Sequence, residues 1–216
     1  MKITKVDIPN YPVLQVDLSD EHIKLLYKYI REANKIPHPK FGSNWVDTLE
    51  FSGDCVTKRK PTFINDLMEL QDTNNEFLND VIRPVIKAYQ KMSELGVENL
   101  IQGTDEKKQP YMQRFWARIN TPDEYAPAHY HNGVFSFVAY LQVPTNNETE
   151  QQTDPQGSDF VLHYSNILGL PEKLNVKMHL GAEHTMLFFP SRMMHEVYAS
   201  RTNHNLYRVC VSGDIV

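Results

Sequence analysis

His129-Tyr130-His131-Asn132-Gly133 runs directly into Val134-Phe135-Ser136-Phe137-Val138-Ala139-Tyr140-Leu141-Gln142-Val143, and this junction decides the fold. The second stretch is apolar and reads as a β-strand over 134–143. Ala126-Pro127-Ala128 before the histidines and Asn132-Gly133 after them put the pair at a turn beside a rigid strand, where ligands tend to sit. On a strand, residues i and i+2 share a face and lie about 6.5–7 Å apart. Two imidazoles so placed can converge on one metal with bonds of about 2.0–2.1 Å. Taken alone, the pair reads equally well as two histidines hydrogen-bonded at a strand end.

Working outward, the C-terminal half repeats the β pattern. Short runs rich in Val, Phe, Tyr and Ile predict strands over 112–120, 134–143, 160–164, 184–189, 196–198 and 207–212, with a weaker one near 176–179. Turns every 8–12 residues or so suggest a sandwich, barrel or jelly roll. The polar segment Thr145 to Ser158 is longer than a connection needs and is expected to edge a site. The first half reads differently. A leading strand over 13–18 is followed by Ser19-Asp20-Glu21, an N-cap signal, and by Ile23, Leu26, Tyr27 and Ile30 at helical spacing. A second helix carries Leu78, Val81, Ile82, Val85, Tyr89 and Met92 on one face. Pro84 predicts a kink or a late start for it, and Leu95-Gly96 a stop. The expected fold class is α+β and mainly β in its second half: a jelly roll over 111–216, with a helical support region over 1–110 packed on one face, in a single domain.

The 216 residues hold 22 Lys and Arg against 27 Asp and Glu, a net charge of -5, without a basic run that could track a phosphate backbone. That weighs against a nucleic-acid partner. No apolar stretch approaches the ~20 residues needed to span a bilayer. Met1-Lys2-Ile3-Thr4-Lys5 lacks an apolar signal region, so a cytoplasmic address is expected. Cys55 and Cys210 form no CxxC pair, so any metal must use histidine or carboxylate.

A third ligand candidate is His195, which follows the apolar run Thr185-Met186-Leu187-Phe188-Phe189-Pro190-Ser191. The polar stretch Ser200 to Asn205 reads as a hairpin loop leading to Arg208. With the loop centred at 202/203 or 201/202, Arg208 and His195 face the same side of that hairpin. A fixed guanidinium beside a metal suits a keto diacid, because its planar fork grips a carboxylate through two parallel hydrogen bonds. Trp116, Arg118 and Asn120 alternate on one strand face, opposite Phe115, Ala117 and Ile119.

Together these residues resemble the 2-oxoglutarate/Fe(II)-dependent oxygenases, particularly a small phage and marine-bacterial group similar to prolyl-hydroxylase-type enzymes. The carriers are Trp116 to Asn120, His129 to Asn132, Phe135 to Leu141, Gly181, Leu187 to Ser191, His195 and Arg208. The resemblance implies a double-stranded β-helix, with Fe(II) held by two histidines and a carboxylate in a facial set. It assigns His129 and His195 as the two histidines, with His131 where the superfamily usually has Asp or Glu. Three histidines also make an acceptable Zn²⁺ set. Arg208 would bind 2-oxoglutarate, and Cys210 stands where a serine often assists it. Asn120 and Tyr140 are the added candidates, and Arg118 would line the cavity.

The implied reaction consumes 2-oxoglutarate and O₂, hydroxylates a substrate and releases succinate and CO₂. A peptidyl side chain such as proline is the first substrate class expected, a small metabolite the second and a nucleobase the third. A homodimer, and a host-cell cytoplasmic address for a phage-encoded chain, are also expected. The rival readings are a cupin-like three-histidine metalloprotein without a keto acid and a non-catalytic jelly-roll module. Asp123 and Glu124 are the alternative carboxylate ligands. His163, His179 and His184 read as structural histidines, and Glu196 as pointing away from His195.

Overall fold

A computed structural model describes residues 11–35, 49–59, 67–93, 109–144, 157–178, 182–200 and 207–216. Strand β1 (Leu14–Asp17) leads into helix α1 (Asp20–Ala33), followed by the strands β2 (Leu49–Ser52), β3 (Cys55–Arg59) and β4 (Met68–Glu69). A π turn at Leu78–Ile82 precedes α2 (Arg83–Met92). The β half then runs β5 (Met112–Asn120), β6 (Ala126–His129), β7 (Phe135–Gln142), β8 (Phe160–Ser165), β9 (Pro171–Val176), β10 (Thr185–Pro190), β11 (His195–Val197) and β12 (Arg208–Ile215).

The strands form two main sheets. The larger has the order β1-β10-β7-β12-β5-β4, the smaller β6-β11-β8-β9, and β2-β3 is a separate hairpin. All pairings are antiparallel. This is the jelly roll the C-terminal pattern predicted, with the helices on the outer face of the larger sheet. Strand β7 explains why the opening stretch is so apolar: every residue from Phe135 to Gln142 is buried. Phe135, Phe137, Ala139 and Leu141 pack in one cluster with Leu26, Ile30, Phe77 and Ile82 of the helical layer. Val138 and Tyr140 turn the other way, into a second cluster with Phe160, Leu162 and Phe189 between the sheets. A strand covered on both faces cannot show polar alternation.

The helices form where their caps and apolar faces dictate. Ser19 accepts a hydrogen bond from the His22 amide at 3.3 Å, and Asp20 and Glu21 sit at the positive end of α1. Pro84 directly follows the π turn, and Ile82 and Arg83 are both helical, so the helical run is continuous through this position and the widened π turn accommodates the missing amide proton. The Leu95-Gly96 stop lies outside the described residues.

The structure corrects several expectations. The first half is not helical throughout, because β2 and β3 pair as a hairpin and Val56 of β3 donates its amide to Gln142 of β7 at 2.9 Å. Such short strands are recognised by what they pair with, which their local pattern does not reveal. Beside β8 the pairing strand is Pro171–Val176, not 176–179. The largest correction concerns Arg208. Strand β11 pairs with β6 and β8, while β12 pairs with β5 and β7. His195 and Arg208 therefore stand on opposing sheets and form no hairpin, so their shared side is the barrel interior reached from two directions. A crossover between sheets and a hairpin give the same polar signal in sequence.

One close approach on β12 leaves no room for a side chain. A Cβ added at Gly213 of β12 would lie 2.6 Å from the Phe137 ring and 3.0 Å from the Arg114 carbonyl. Gly213→Ala is expected to destabilise the fold by about 1–3 kcal/mol through overpacking. Denaturant unfolding checks this, and an unchanged midpoint would contradict it.

Candidate metal centre

His129 ends β6 and His195 begins β11, and the two are direct cross-strand partners. Opposed residues share a face, so both imidazoles enter the barrel, with ring centroids 4.3 Å apart. His131 lies two residues past the end of β6 and not on the strand, so strand alternation does not orient it. Its amide instead donates to the Ser191 carbonyl at 2.8 Å, which ties the turn to the end of β10. Its ring stacks 5.2 Å from that of His195, nearly parallel at 4°, and against Trp116 at 5.5 Å. The ligating nitrogens of His129, His131 and His195 all lie within 4.8 Å of one another, the sole such cluster among the described residues.

The hydrogen bonds behind the rings fix which nitrogen faces inward. His129 Nδ1 is 2.7 Å from the Pro127 carbonyl and His195 Nδ1 is 2.9 Å from the Met193 carbonyl. A carbonyl only accepts, so both Nδ1 atoms carry the proton and both Nε2 atoms present a lone pair. His131 Nδ1 meets the Asp214 carboxylate at 3.0 and 3.2 Å, with the same result. Three neutral imidazoles with outward Nδ1–H and inward Nε2 are what a metal ion needs. Burial favours the neutral form further. Desolvation lowers the His195 pKa to about 4 and also lowers that of His129, which is less enclosed.

Beside the histidines is a chamber with about 570 Å³ of empty space, counting its open mouth. Strand register explains its polar wall. Arg208 opposes Asn120, and Cys210 opposes Arg118 on one side and Tyr140 on the other, so all five face inward. Arg208 is 2% exposed and is anchored by donating to the Tyr198 carbonyl at 2.8 Å and the Glu124 carbonyl at 3.4 Å. Arg118 faces the same space, where burial and then the Arg208 charge lower its pKa. The Tyr140 hydroxyl is fully buried without a hydrogen-bond partner among the described residues. Burial pushes the Cys210 thiol up to about 11, so it stays protonated. Two guanidinium groups and an unused phenol in one buried wall suit a bound dianion.

The alternative carboxylates are elsewhere. Glu124 is bonded to Arg59 and to the Thr121 amide, and Asp123 does not join the cluster. Glu196 turns away from His195 toward Lys173 at 2.8 Å and His163 at 3.1 Å. His184 donates its amide to Tyr140 and its ring stands away from the chamber, while His179 lies outside the described residues.

The sequence reading missed Asp214. Arg208, Cys210, Ser212 and Asp214 are spaced by two along one strand, so period two would have found it. Ending the predicted strand at Ser212 cut it off. Arg114, whose guanidinium lies 4.9 Å over the Trp116 ring, fell inside the predicted 112–120 strand in phase with Trp116, Arg118 and Asn120, so the same alternation would have found it; it lines an outer cleft with Arg118, Tyr130 and Asn132.

A jelly roll whose interior converges three imidazoles beside buried guanidinium groups has the side chains to hold a metal ion next to an anion. Residues 114–214 match the model of a family described as "Putative 2OG-Fe(II) oxygenase". That stretch is just under half of the chain, and over it the chain is similar to the 2-oxoglutarate/Fe(II)-dependent oxygenases. Comparison with curated proteins returns no match. Among solved structures, a Pseudomonas putida prolyl-4-hydroxylase is 12% identical, with TM-score 0.51 over 94% of this chain and 91% of its own. The carbocyclase SnoK from nogalamycin biosynthesis is 7% identical, with TM-score 0.54 over 94% and 78%. This chain spans 61% of the length of a 2OG-Fe(II) oxygenase-family oxidoreductase from Burkholderia pseudomallei, which covers 68% of it at 15% identity and TM-score 0.44. At such identities the likeness is one of fold. No helix among the described residues is long and apolar enough to cross a membrane.

The lowered histidine pKa values set a pH dependence for the metal-free protein. Folded His195 takes up a proton only near pH 4, whereas the unfolded residue does so near its ordinary value of 6.5. Above 6.5 both states are neutral and the group contributes nothing. Between 6.5 and 4 the unfolded state binds more protons, so stability falls as pH falls. Thermal midpoints in chelator should drop from pH 7 to 4.5, and His195→Gln should flatten the drop. An equal drop in both proteins would contradict this origin.

Proposed function

We propose that the chain is a hydroxylase that oxidises a side chain offered to the metal through the outer cleft. A peptidyl side chain such as proline is the first substrate class, and a small metabolite the second. The observation that carries the reading is the hydrogen bonding of His129, His131 and His195, each held through Nδ1 with Nε2 turned inward. These three would hold Fe(II), and Arg208 would grip the distal carboxylate of 2-oxoglutarate.

Bound iron with 2-oxoglutarate supplies O₂ activation, coupling release of succinate and CO₂ to insertion of oxygen into a substrate C–H bond. The chain's residues supply the rest. Arg208 uses one guanidinium edge on the Tyr198 and Glu124 carbonyls, which fixes its plane and leaves other N–H donors for a carboxylate. The Tyr140 hydroxyl donates to the same anion, and Arg118 and Asn120 border it. Protonated Cys210 adds a weak donor where charge would repel the co-substrate. Phe160 and Phe189, packed 5.2 and 5.0 Å from the His195 ring, exclude water from the metal's inner side. Arg114, Trp116 and Tyr130 line the approach. The cytoplasm, where iron is kept reduced, is the proposed place of action.

The all-histidine donor set favours one second reading, a zinc protein without a keto acid. Succinate formation separates the two. With Fe(II), O₂ and 2-oxoglutarate, purified protein is expected to release succinate, and zinc is expected to inhibit. Arg208→Gln should raise the KM for 2-oxoglutarate roughly 30-fold or more, as truncating a buried charge partner costs about 2 kcal/mol or more. No succinate under any condition, or an unchanged KM, would contradict the proposal.

A further inference from the structure

We infer that Asp214 carries the negative charge of the metal centre, held one imidazole ring away from the ion. The inference rests on the three-histidine metal site proposed above. Asp214 is 3% exposed, yet among the described residues the one basic side chain within ion-pair distance is the His131 ring, whose neutral form donates only its Nδ1–H. Its strand partner Arg114 lies instead over Trp116. The other contact to the carboxylate is neutral: Ser136 Oγ donates to Oδ1 at 2.8 Å and lies 2.8 Å from Ser191 Oγ.

A buried carboxylate without a cation is costly in the interior. A serine hydroxyl and a neutral imidazole leave that cost standing. A divalent cation on the far nitrogen of His131 removes it, because the ring conducts polarisation between its two nitrogens. The carboxylate draws on the Nδ1 proton and strengthens Nε2 as a donor. His129 and His195 have only backbone carbonyls behind them, so the three ligands are electronically unequal. His131 becomes the strongest donor, and the ion sees a buried negative charge that three imidazoles alone do not provide. Asp214 is therefore a positioning residue that acts on the ion through His131 and needs no contact with it.

Asp214→Asn tests this, since an amide oxygen can still accept from His131 and the amide nitrogen can donate to Ser136, leaving only the charge removed. Anaerobic Co(II) titration, read by its visible ligand-field absorption, is paired with thermal melting of the metal-free protein. Expected is a weakening of Co(II) binding of roughly 10–100-fold, with the metal-free melting midpoint equal to or above wild type, because the uncompensated charge is gone. Asp214→Ala should weaken binding at least as much. Affinity within twofold of wild type in Asp214→Asn, or a lowered metal-free midpoint with affinity retained, would overturn the inference and mark a purely structural role. In wild-type zinc-loaded protein, the His131 Nδ1 proton should resonate downfield of those of His129 and His195, and equivalence of the three would also overturn it. Wild-type protein that binds no Co(II) through the histidines would instead remove the metal-site reading itself.

Discussion

Everything at the centre of this molecule depends on three hydrogen bonds made behind the histidines. An imidazole can coordinate through either nitrogen and can rotate about two bonds, so three histidines near each other do not make a site. Here the Pro127 carbonyl, the Met193 carbonyl and the Asp214 carboxylate each claim an Nδ1 proton. That leaves three Nε2 lone pairs directed into one chamber. Two of the acceptors are backbone atoms two residues from the ring they hold, so the strand ends themselves aim the ligands.

The barrel exists in the form that makes this possible. Strands β6 and β11 lie on the small sheet and bring His129 opposite His195, while β12 on the large sheet brings Arg208 from across the interior and Asp214 to His131. The helices take no part in the chamber. They bury the outer face of the large sheet, which lets β7 be apolar on both sides and leaves the inner face free for chemistry. A single strand, β12, presents Arg208, Cys210, Ser212 and Asp214 inward, so the guanidinium-lined and imidazole-lined ends of the chamber are set by one register.

The sequence revealed the β half well, because short apolar runs with turn residues between them have few other interpretations. His129, His131 and His195 stood out as metal-type residues beside strands, and the alternation of Trp116, Arg118 and Asn120 gave their common face. What it did not reveal was long-range. The pairing of β11 with β6 rather than with β12 leaves no local trace, so Arg208 was placed beside His195 for the wrong geometric reason. Asp214 was hidden by a strand end set two residues short of it. The β2–β3 hairpin is anchored by Gln142, 86 positions from Val56, a contact that no local window contains.

The most direct measurement is anaerobic equilibrium dialysis of the full chain against Fe(II), with and without 2-oxoglutarate. The account predicts one iron per chain, held more tightly when 2-oxoglutarate is present, with both effects lost in a His129→Ala, His195→Ala double variant. Iron retained by that variant, or binding indifferent to 2-oxoglutarate, would contradict it.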